Sequence, residues 1–145
     1  MKEKILVSAC LLGENCKYSG GNNACPAAQQ LRERYELIAV CPERDGGLPT
    51  PRIPSERLGE RVVNKAGEDV TSQFRRGAEL ALETALKNSC RIALFKERSP
   101  SCGCGVIYDG SFTGTLIEGD GVTAALLKQH NIMILGESRI EDLLR

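Results

Sequence analysis

Short apolar runs alternate with longer amphipathic segments along the chain. The apolar runs are rich in β-branched residues and too short for helices, so each predicts a buried strand. These predicted strands are 4–9, 37–40, 91–95 and 132–135. Between them apolar positions recur at the spacing of a helix face. The helices predicted in this way are 24–35, 72–88, 120–129 and 137–144.

The alternation of strand and helix predicts the fold class. Parallel strands need crossover connections, and helices supply them on both faces of a sheet. We therefore predict a single three-layer α/β domain over residues 1–145, with a mainly parallel sheet of about four to five strands. Turn signals within 108–117 predict a small hairpin. The segment 49–63 contains three prolines and is interpreted as a surface loop.

Charge and composition narrow the function classes. The 145 residues carry 19 basic and 19 acidic side chains, and 4 % are aromatic. This balance argues against a nucleic-acid polymer as partner, and no apolar stretch is long enough for a membrane span. The N-terminus shows no secretory signal pattern, so we expect a cytoplasmic protein with mostly reduced cysteines. A small-molecule substrate fits this composition, and a homodimer is compatible with it.

The seven cysteines are the most informative feature of the composition. Cys10, Cys41 and Cys102 each follow a predicted strand directly or in the adjoining loop. Because the carboxyl ends of parallel strands meet at one edge of the sheet, we expect these three thiols to converge there. Cys25 and Cys90 are interpreted as packing residues.

Three converging thiols without a nearby histidine indicate a soft-metal or iron–sulfur site. The single histidine, His130, lies at the end of a predicted helix, away from that edge. A structural zinc site would prefer four ligands in more widely spaced pairs than Cys102 and Cys104. Three cysteines on a [4Fe-4S] cube would leave one iron open to substrate. The spacing alone leaves either Cys102 or Cys104 as the third ligand, and Cys16 remains a candidate neighbour of the site.

Polar residues and glycines around these cysteines complete a candidate site. Carboxylates near Cys41 offer a general base, hydroxyls near Cys102 can bond a substrate carbonyl, and glycines allow close backbone approach. The candidates are Glu43, Ser101 and Asp45 for catalysis, and Ser99, Gly46, Gly47 and Arg52 for substrate binding.

Six ordered motifs resemble one known family. SACLLG, CKYSGG, CPERDGGLPTPR, GEDVTSQFRRGA, KERSPSCG and GDGVTAALL occur in this order over nearly the whole chain. They resemble the DUF523 family, whose members include the thiouracil desulfidases. The resemblance implies a Rossmann-like fold and an oxygen-sensitive [4Fe-4S] cluster bound by Cys10, Cys41 and Cys102, which protein purified in air would tend to lose. It also implies non-redox removal of sulfur from a thiolated pyrimidine, free or as a nucleotide, with release of hydrosulfide.

Two other function classes compete with this interpretation. A sulfur- or metal-binding carrier or sensor would bind the cluster without turning over any thiolated base. A cysteine redox enzyme is disfavoured because the chain has no C-x-x-C pair.

Overall fold

The computed structural model describes residues 2–145 as strands and helices in alternation. The strands are β1 (Glu3–Ser8), β2 (Tyr35–Val40), β3 (Ser55–Leu58), β4 (Arg61–Asn64), β5 (Ile92–Phe95), β6 (Val106–Tyr108), β7 (Leu116–Glu118) and β8 (Met133–Gly136). The helices are α1 (Pro26–Gln30), α2 (Pro42–Asp45), α3 (Thr71–Lys87), α4 (Val122–Gln129) and α5 (Glu141–Leu144).

A parallel four-stranded sheet in the order β2-β1-β5-β8 forms the centre of the fold. Side chains of its strands alternate between two hydrophobic clusters, because neighbouring residues of a strand point to opposite faces. Leu6 and Phe95 pack with residues of α3 and α4 on one face. Ile5 and Leu94 pack with residues of α1 and α5 on the other. The predicted α/β class with helices on both faces is confirmed.

Two antiparallel ribbons, β3–β4 and β6–β7, lie outside the central sheet. The β6–β7 ribbon confirms the hairpin predicted in 108–117, although its strands begin before and end after that segment. The prediction that 49–63 is only a loop is wrong, because Ser55–Leu58 pairs with Arg61–Asn64. The prolines of this segment all precede β3, so they interrupt none of its ladder bonds.

The helix boundaries differ from the predicted ones mainly at segment ends. Only Pro26–Gln30 of the predicted helix 24–35 is α-helical, and a 3-10 turn follows it over Leu31–Glu33. Helix α3 begins at Thr71, one residue before the predicted start, and the Thr71 hydroxyl accepts a 2.9 Å hydrogen bond from Val62 N. The four-residue helix α2 escaped prediction because so short a segment shows no periodicity.

Within residues 2–145, no helix combines the length and the apolar character that crossing a membrane requires.

Two glycines let α2 approach α3 closely. A Cβ atom at Gly77 would lie 1.9 Å from Pro42 O, and one at Gly46 would lie 2.0 Å from Gln73 O. Both clashes involve backbone atoms, so neither can be relieved by a side-chain rotation. This contact fixes the segment that directly follows Cys41.

We predict that Gly77→Ala destabilises the protein by about 2 kcal/mol, although alanine normally favours a helix interior. Alanine is destabilising at this position because its methyl group would overlap the Pro42 carbonyl. Urea denaturation measures the change. Glu79→Ala, an exposed position of the same helix, is the matched control and should change the free energy of unfolding by less than about 0.5 kcal/mol. Equal stability of the Gly77→Ala variant and the wild type would contradict the close contact.

Candidate functional site

A cavity of about 680 Å³ opens at the carboxyl ends of β1, β2 and β5. The chain leaves β1 toward β2 on one side and later returns to β5 on the other, so the sheet has a topological switch point here. Four thiols line the cavity: Cys10, Cys16, Cys41 and Cys102. The three cysteines expected to converge at the sheet edge therefore do line one cavity, and each is a free thiol.

Cys10 lies in the turn that ends β1. A 3-10 helix over Ala9–Leu12 carries it, and Gly13 ends this turn in a left-handed conformation with φ of 95°. Asn23 Nδ2 donates a 3.4 Å hydrogen bond to Cys10 Sγ. Burial raises the pKa of the Cys10 thiol, while the Asn23 bond and the charge of Lys96 oppose that rise.

Cys41 and Cys16 form a thiol pair at the carboxyl end of β2. Cys41 Sγ donates to Cys16 O across 3.7 Å, and Cys41 N donates to Asp45 Oδ2 across 3.2 Å. A hydrogen bond from the Cys16 thiol lowers the pKa of Cys41 to about 7. The same bond, together with burial, raises the pKa of Cys16. Within this pair, the pKa of Cys41 is lowered and that of Cys16 is raised.

The two cysteines of the loop after β5 have different surroundings. Cys102 lines the cavity, and burial strongly raises the pKa of its thiol. Cys104 lies outside the cavity lining and packs against the core, with its Sγ 3.8 Å from Ile134 O. The geometry therefore favours Cys102 as the third thiol of the set. Cys25 and Cys90 contribute to the hydrophobic clusters on the two faces of the sheet.

The cavity cysteines offer the soft ligands that an iron–sulfur cluster takes. Among residues 2–145, no three histidine, cysteine, aspartate or glutamate side chains are placed to hold one metal ion. A [4Fe-4S] cube is larger, and each of its cysteines binds a different iron atom. Three thiols distributed around one cavity at three strand ends fit that requirement.

A buried ion pair stands beside the thiols. Arg52 Nε donates to Glu43 Oε1 across 3.1 Å, and the side chains are 5 % and 16 % exposed. Burial raises the pKa of Glu43, while the charge of Arg52 and hydrogen bonds from Arg52 and Ser99 lower it. Arg52 also donates to Cys16 O at 2.9 Å and to Thr50 Oγ1 at 3.1 Å. Its donors are thus committed to the protein, which favours an orienting role over the predicted binding of substrate.

Two serines shape the loop that carries Cys102. Ser99 Oγ accepts hydrogen bonds from Ser101 N at 3.1 Å and Cys102 N at 3.0 Å. Ser101 lines the cavity but is almost fully buried, and its hydroxyl lies 2.7 Å from Thr123 Oγ1. Both serines therefore hold the loop in shape at the cavity wall.

Three of the predicted site residues lie away from the cavity lining. Asp45 lines a separate shallow hollow beside α3, and its carboxylate accepts the Cys41 N–H. Gly46 packs against the α3 backbone. Gly47 has a φ of 109°, which explains a glycine at this turn without any ligand. None of the three lines the cavity, and their predicted catalytic and substrate-binding roles stay predictions.

Several cavity residues were absent from the prediction. Ser8 Oγ accepts a 2.9 Å hydrogen bond from Lys96 N and so ties the end of β1 to the end of β5. The cavity is also lined by Asn23 and by three aromatic residues, Tyr18, Tyr108 and Phe112. Asn23 carries no signal of its own in the sequence. The aromatic residues could have been noticed, because an aromatic residue in a polar turn often marks a binding surface.

The carboxyl edge of this open parallel α/β sheet therefore carries thiols, a buried carboxylate and aromatic residues around one cavity. The family model for 2-thiouracil desulfurase matches residues 5–139. The chain belongs to this 2-thiouracil desulfurase family, which confirms the resemblance found in the sequence.

Two relatives cover almost the whole chain. The uncharacterized protein YbbK of Bacillus subtilis (strain 168) is 40 % identical over 150 residues, spanning 97 % of this chain and 99 % of YbbK. The solved structure of the [4Fe-4S]-dependent thiouracil desulfidase TudS, which carries the designation DUF523, is 49 % identical and superposes with a TM-score of 0.91. That match covers 99 % of this chain and 96 % of TudS.

We predict that Arg52→Ala destabilises the cluster-free protein by about 3 kcal/mol, because it leaves the Glu43 carboxylate buried without its partner. Adding Glu43→Gln to that variant should recover part of the loss, since no unpaired charge then remains. Urea denaturation of the wild type, both single variants and the double variant measures this cycle. Strictly additive effects would contradict a coupled buried pair.

Proposed function

We propose that the chain is a [4Fe-4S]-dependent desulfidase that hydrolyses the C–S bond of a thiolated pyrimidine such as thiouracil. The observation that carries this proposal is the placement of Cys10, Cys41 and Cys102 around one cavity beside a buried glutamate. The 49 % identity to TudS, a [4Fe-4S]-dependent thiouracil desulfidase, supports both the cofactor and the substrate class.

In this proposal Cys10, Cys41 and Cys102 hold the cluster, one from each of three strand ends. A cube bound by three cysteines keeps one iron without a protein ligand, which supplies a soft Lewis acid for the substrate sulfur and for the departing hydrosulfide. Cys41 is already poised to bind as a thiolate, because the Cys16 hydrogen bond lowers its pKa to about 7. The high pKa of Cys102 means that its proton must be released when the cofactor binds.

Glu43 is proposed as the general base that activates water. Its carboxylate lies in the cavity, and burial raises its pKa toward the range where a base accepts protons efficiently. Arg52 holds one carboxylate oxygen and so fixes the orientation of the group. The water oxygen forms the new bond to the thiocarbonyl carbon, and one of its two protons passes to Glu43. The C–S bond then breaks with both electrons on sulfur, and the second water proton leaves the new hydroxyl and ends on sulfur. The products are a carbonyl and hydrosulfide, so the reaction needs no oxidant or reductant.

Ser99 and Ser101 are proposed to shape the cavity wall next to the reacting carbon. Ser99 Oγ accepts the N–H groups of Ser101 and Cys102, which fixes the Cys102 thiol relative to Glu43. Ser101 is held in turn by Thr123. This arrangement favours a fixed loop over one that rearranges around the substrate.

We predict that Cys102→Ser loses most of the cluster after anaerobic reconstitution, whereas Cys104→Ser retains it. The two residues share one loop, but only Cys102 lines the cavity. Iron and sulfide analysis, together with the visible absorption of the cluster, measures the cluster content. Cluster loss in Cys104→Ser with retention in Cys102→Ser would reverse the assignment of the ligand.

We predict that Glu43→Gln lowers kcat for thiouracil by about 10²-fold or more with the cluster content unchanged, because the base is lost. Asp45→Asn, which keeps an oxygen to accept the Cys41 N–H, should retain activity to within about threefold. In the wild type kcat/KM should rise with pH, because Glu43 acts as the carboxylate. Since the pKa of Glu43 is raised, this rise should lie at higher pH than for an exposed glutamate.

Steady-state kinetics of the reconstituted proteins test both variants. Unchanged turnover in Glu43→Gln would exclude it as the base, and a large loss confined to Asp45→Asn would assign that role to Asp45. A protein that binds the cluster but turns over no thiolated pyrimidine would contradict the enzymatic proposal and favour a carrier or sensor.

A further inference from the structure

The few aromatic side chains of this protein are concentrated at the cavity. The chain has three tyrosines, three phenylalanines and no tryptophan. Three of these six, Tyr18, Tyr108 and Phe112, line the cavity. Phe74 and Phe95 are fully buried in the core, which explains them by packing. Core packing does not explain the cavity aromatics in the same way, because each of the three is partly or largely exposed.

Phe112 reaches the cavity from a loop that is firmly attached to another ribbon. The loop joins β6 to β7 over residues 109–115. One carboxylate oxygen of Glu56, on β3, accepts hydrogen bonds from Gly110 N at 3.0 Å and Phe112 N at 3.1 Å. Hydrogen bonds to an ionised carboxylate are about twice as strong as neutral ones. Glu56 therefore anchors the loop across more than 50 residues of sequence.

The backbone of this loop has a conformation that needs such an anchor. Phe112 has a φ of 58°, a left-handed value that is unfavourable for an aromatic residue. Gly110 packs so closely that a Cβ atom there would lie 2.9 Å from Leu58 Cδ1 and 3.1 Å from Arg57 O. The strained Phe112 is thus maintained by contacts with β3, and its side chain is presented to the cavity as a result.

Hydroxyl groups brace the loop from within. Ser111 Oγ lies 2.5 Å from Asp109 Oδ1 and 2.6 Å from Thr113 Oγ1, which in turn lies 2.8 Å from Thr115 Oγ1. These hydrogen bonds reduce the number of conformations that the loop can adopt. Its aromatic residue is therefore a fixed part of the cavity wall.

We propose that Phe112 is a substrate-binding residue whose ring packs against the planar heterocycle, and that Glu56 is the positioning residue that holds it there. This inference rests on the proposed function, since it concerns how the thiolated pyrimidine is held. A planar base gains binding free energy from stacking on an aromatic ring. Tyr108, the last residue of β6, directly precedes the loop that carries Phe112 and lines the same cavity.

Binding measurements with a planar and a non-planar probe test the role of Phe112. Uracil, the product, and dihydrouracil share the same ring amides, but only uracil is flat and aromatic. By calorimetry under anaerobic conditions, the reconstituted wild type should bind uracil about tenfold or more tightly than dihydrouracil. Phe112→Leu should lose most of this preference, while Glu60→Gln, at the exposed turn of the β3–β4 ribbon, should keep it.

A double-mutant cycle tests the role of Glu56. If Glu56 acts through Phe112, Glu56→Ala should weaken uracil binding and raise KM for thiouracil roughly fivefold to tenfold with a much smaller change in kcat. Glu56→Ala combined with Phe112→Leu should then be no worse than Phe112→Leu alone. Glu56→Gln, which retains an acceptor oxygen, should restore most of the affinity. Iron content should be the same in all variants.

The outcomes separate this proposal from the proposed function. Equal affinity of the wild type for uracil and dihydrouracil, or no binding of either, would overturn the role of Phe112. Additive effects in the cycle would overturn the positioning role of Glu56. Tight, planarity-dependent uracil binding without turnover of thiouracil would overturn the enzymatic proposal alone and leave the aromatic wall supported.

Discussion

The common direction of β2, β1 and β5 is the constraint on which the site depends. Because these strands are parallel and adjacent, residues that follow them in sequence at positions 10, 41 and 102 meet at one edge. The crevice opens there because the connections from β1 and β2 diverge to opposite sides. The thiols therefore converge through topology, and no local cysteine motif is needed.

Burial sets the electrostatic character of this edge. Burial raises the pKa values of Cys10, Cys102 and Glu43, so an uncompensated negative charge is unfavourable at each of them. Specific contacts favour the ionised forms: Asn23 bonds to Cys10, Arg52 bonds to Glu43, and the Cys16 thiol lowers the pKa of Cys41. A positively charged metal core between the thiols would stabilise their ionised forms, as metals do for cysteine ligands generally. The protein alone provides only part of that compensation.

The sequence predicted the α/β class and the convergence of three cysteines because both follow from the order of buried strands. It could not separate Cys102 from Cys104, since a difference of two residues in a loop is decided by packing against Ile134. The contacts of Asp45 with Cys41 and of Gly46 with α3 could not be predicted for a related reason, because they depend on the short helix α2. The ribbon β3–β4 was missed because the prolines before it obscured its strand pattern. Glu56 could not be recognised from sequence, as its partners lie more than 50 residues away.

Isotope analysis of the product tests the central claim, a hydrolytic desulfuration at the cavity lined by Cys10, Cys41 and Cys102, most directly. Anaerobically reconstituted protein would be mixed with excess thiouracil in oxygen-18 water, without any added oxidant or reductant. We expect uracil with oxygen-18 at the desulfurated carbon, an equal amount of hydrosulfide, and an unchanged cluster oxidation state by paramagnetic resonance. Uracil without oxygen-18 at that carbon, or a reaction that proceeds only when an electron donor is added, would contradict it.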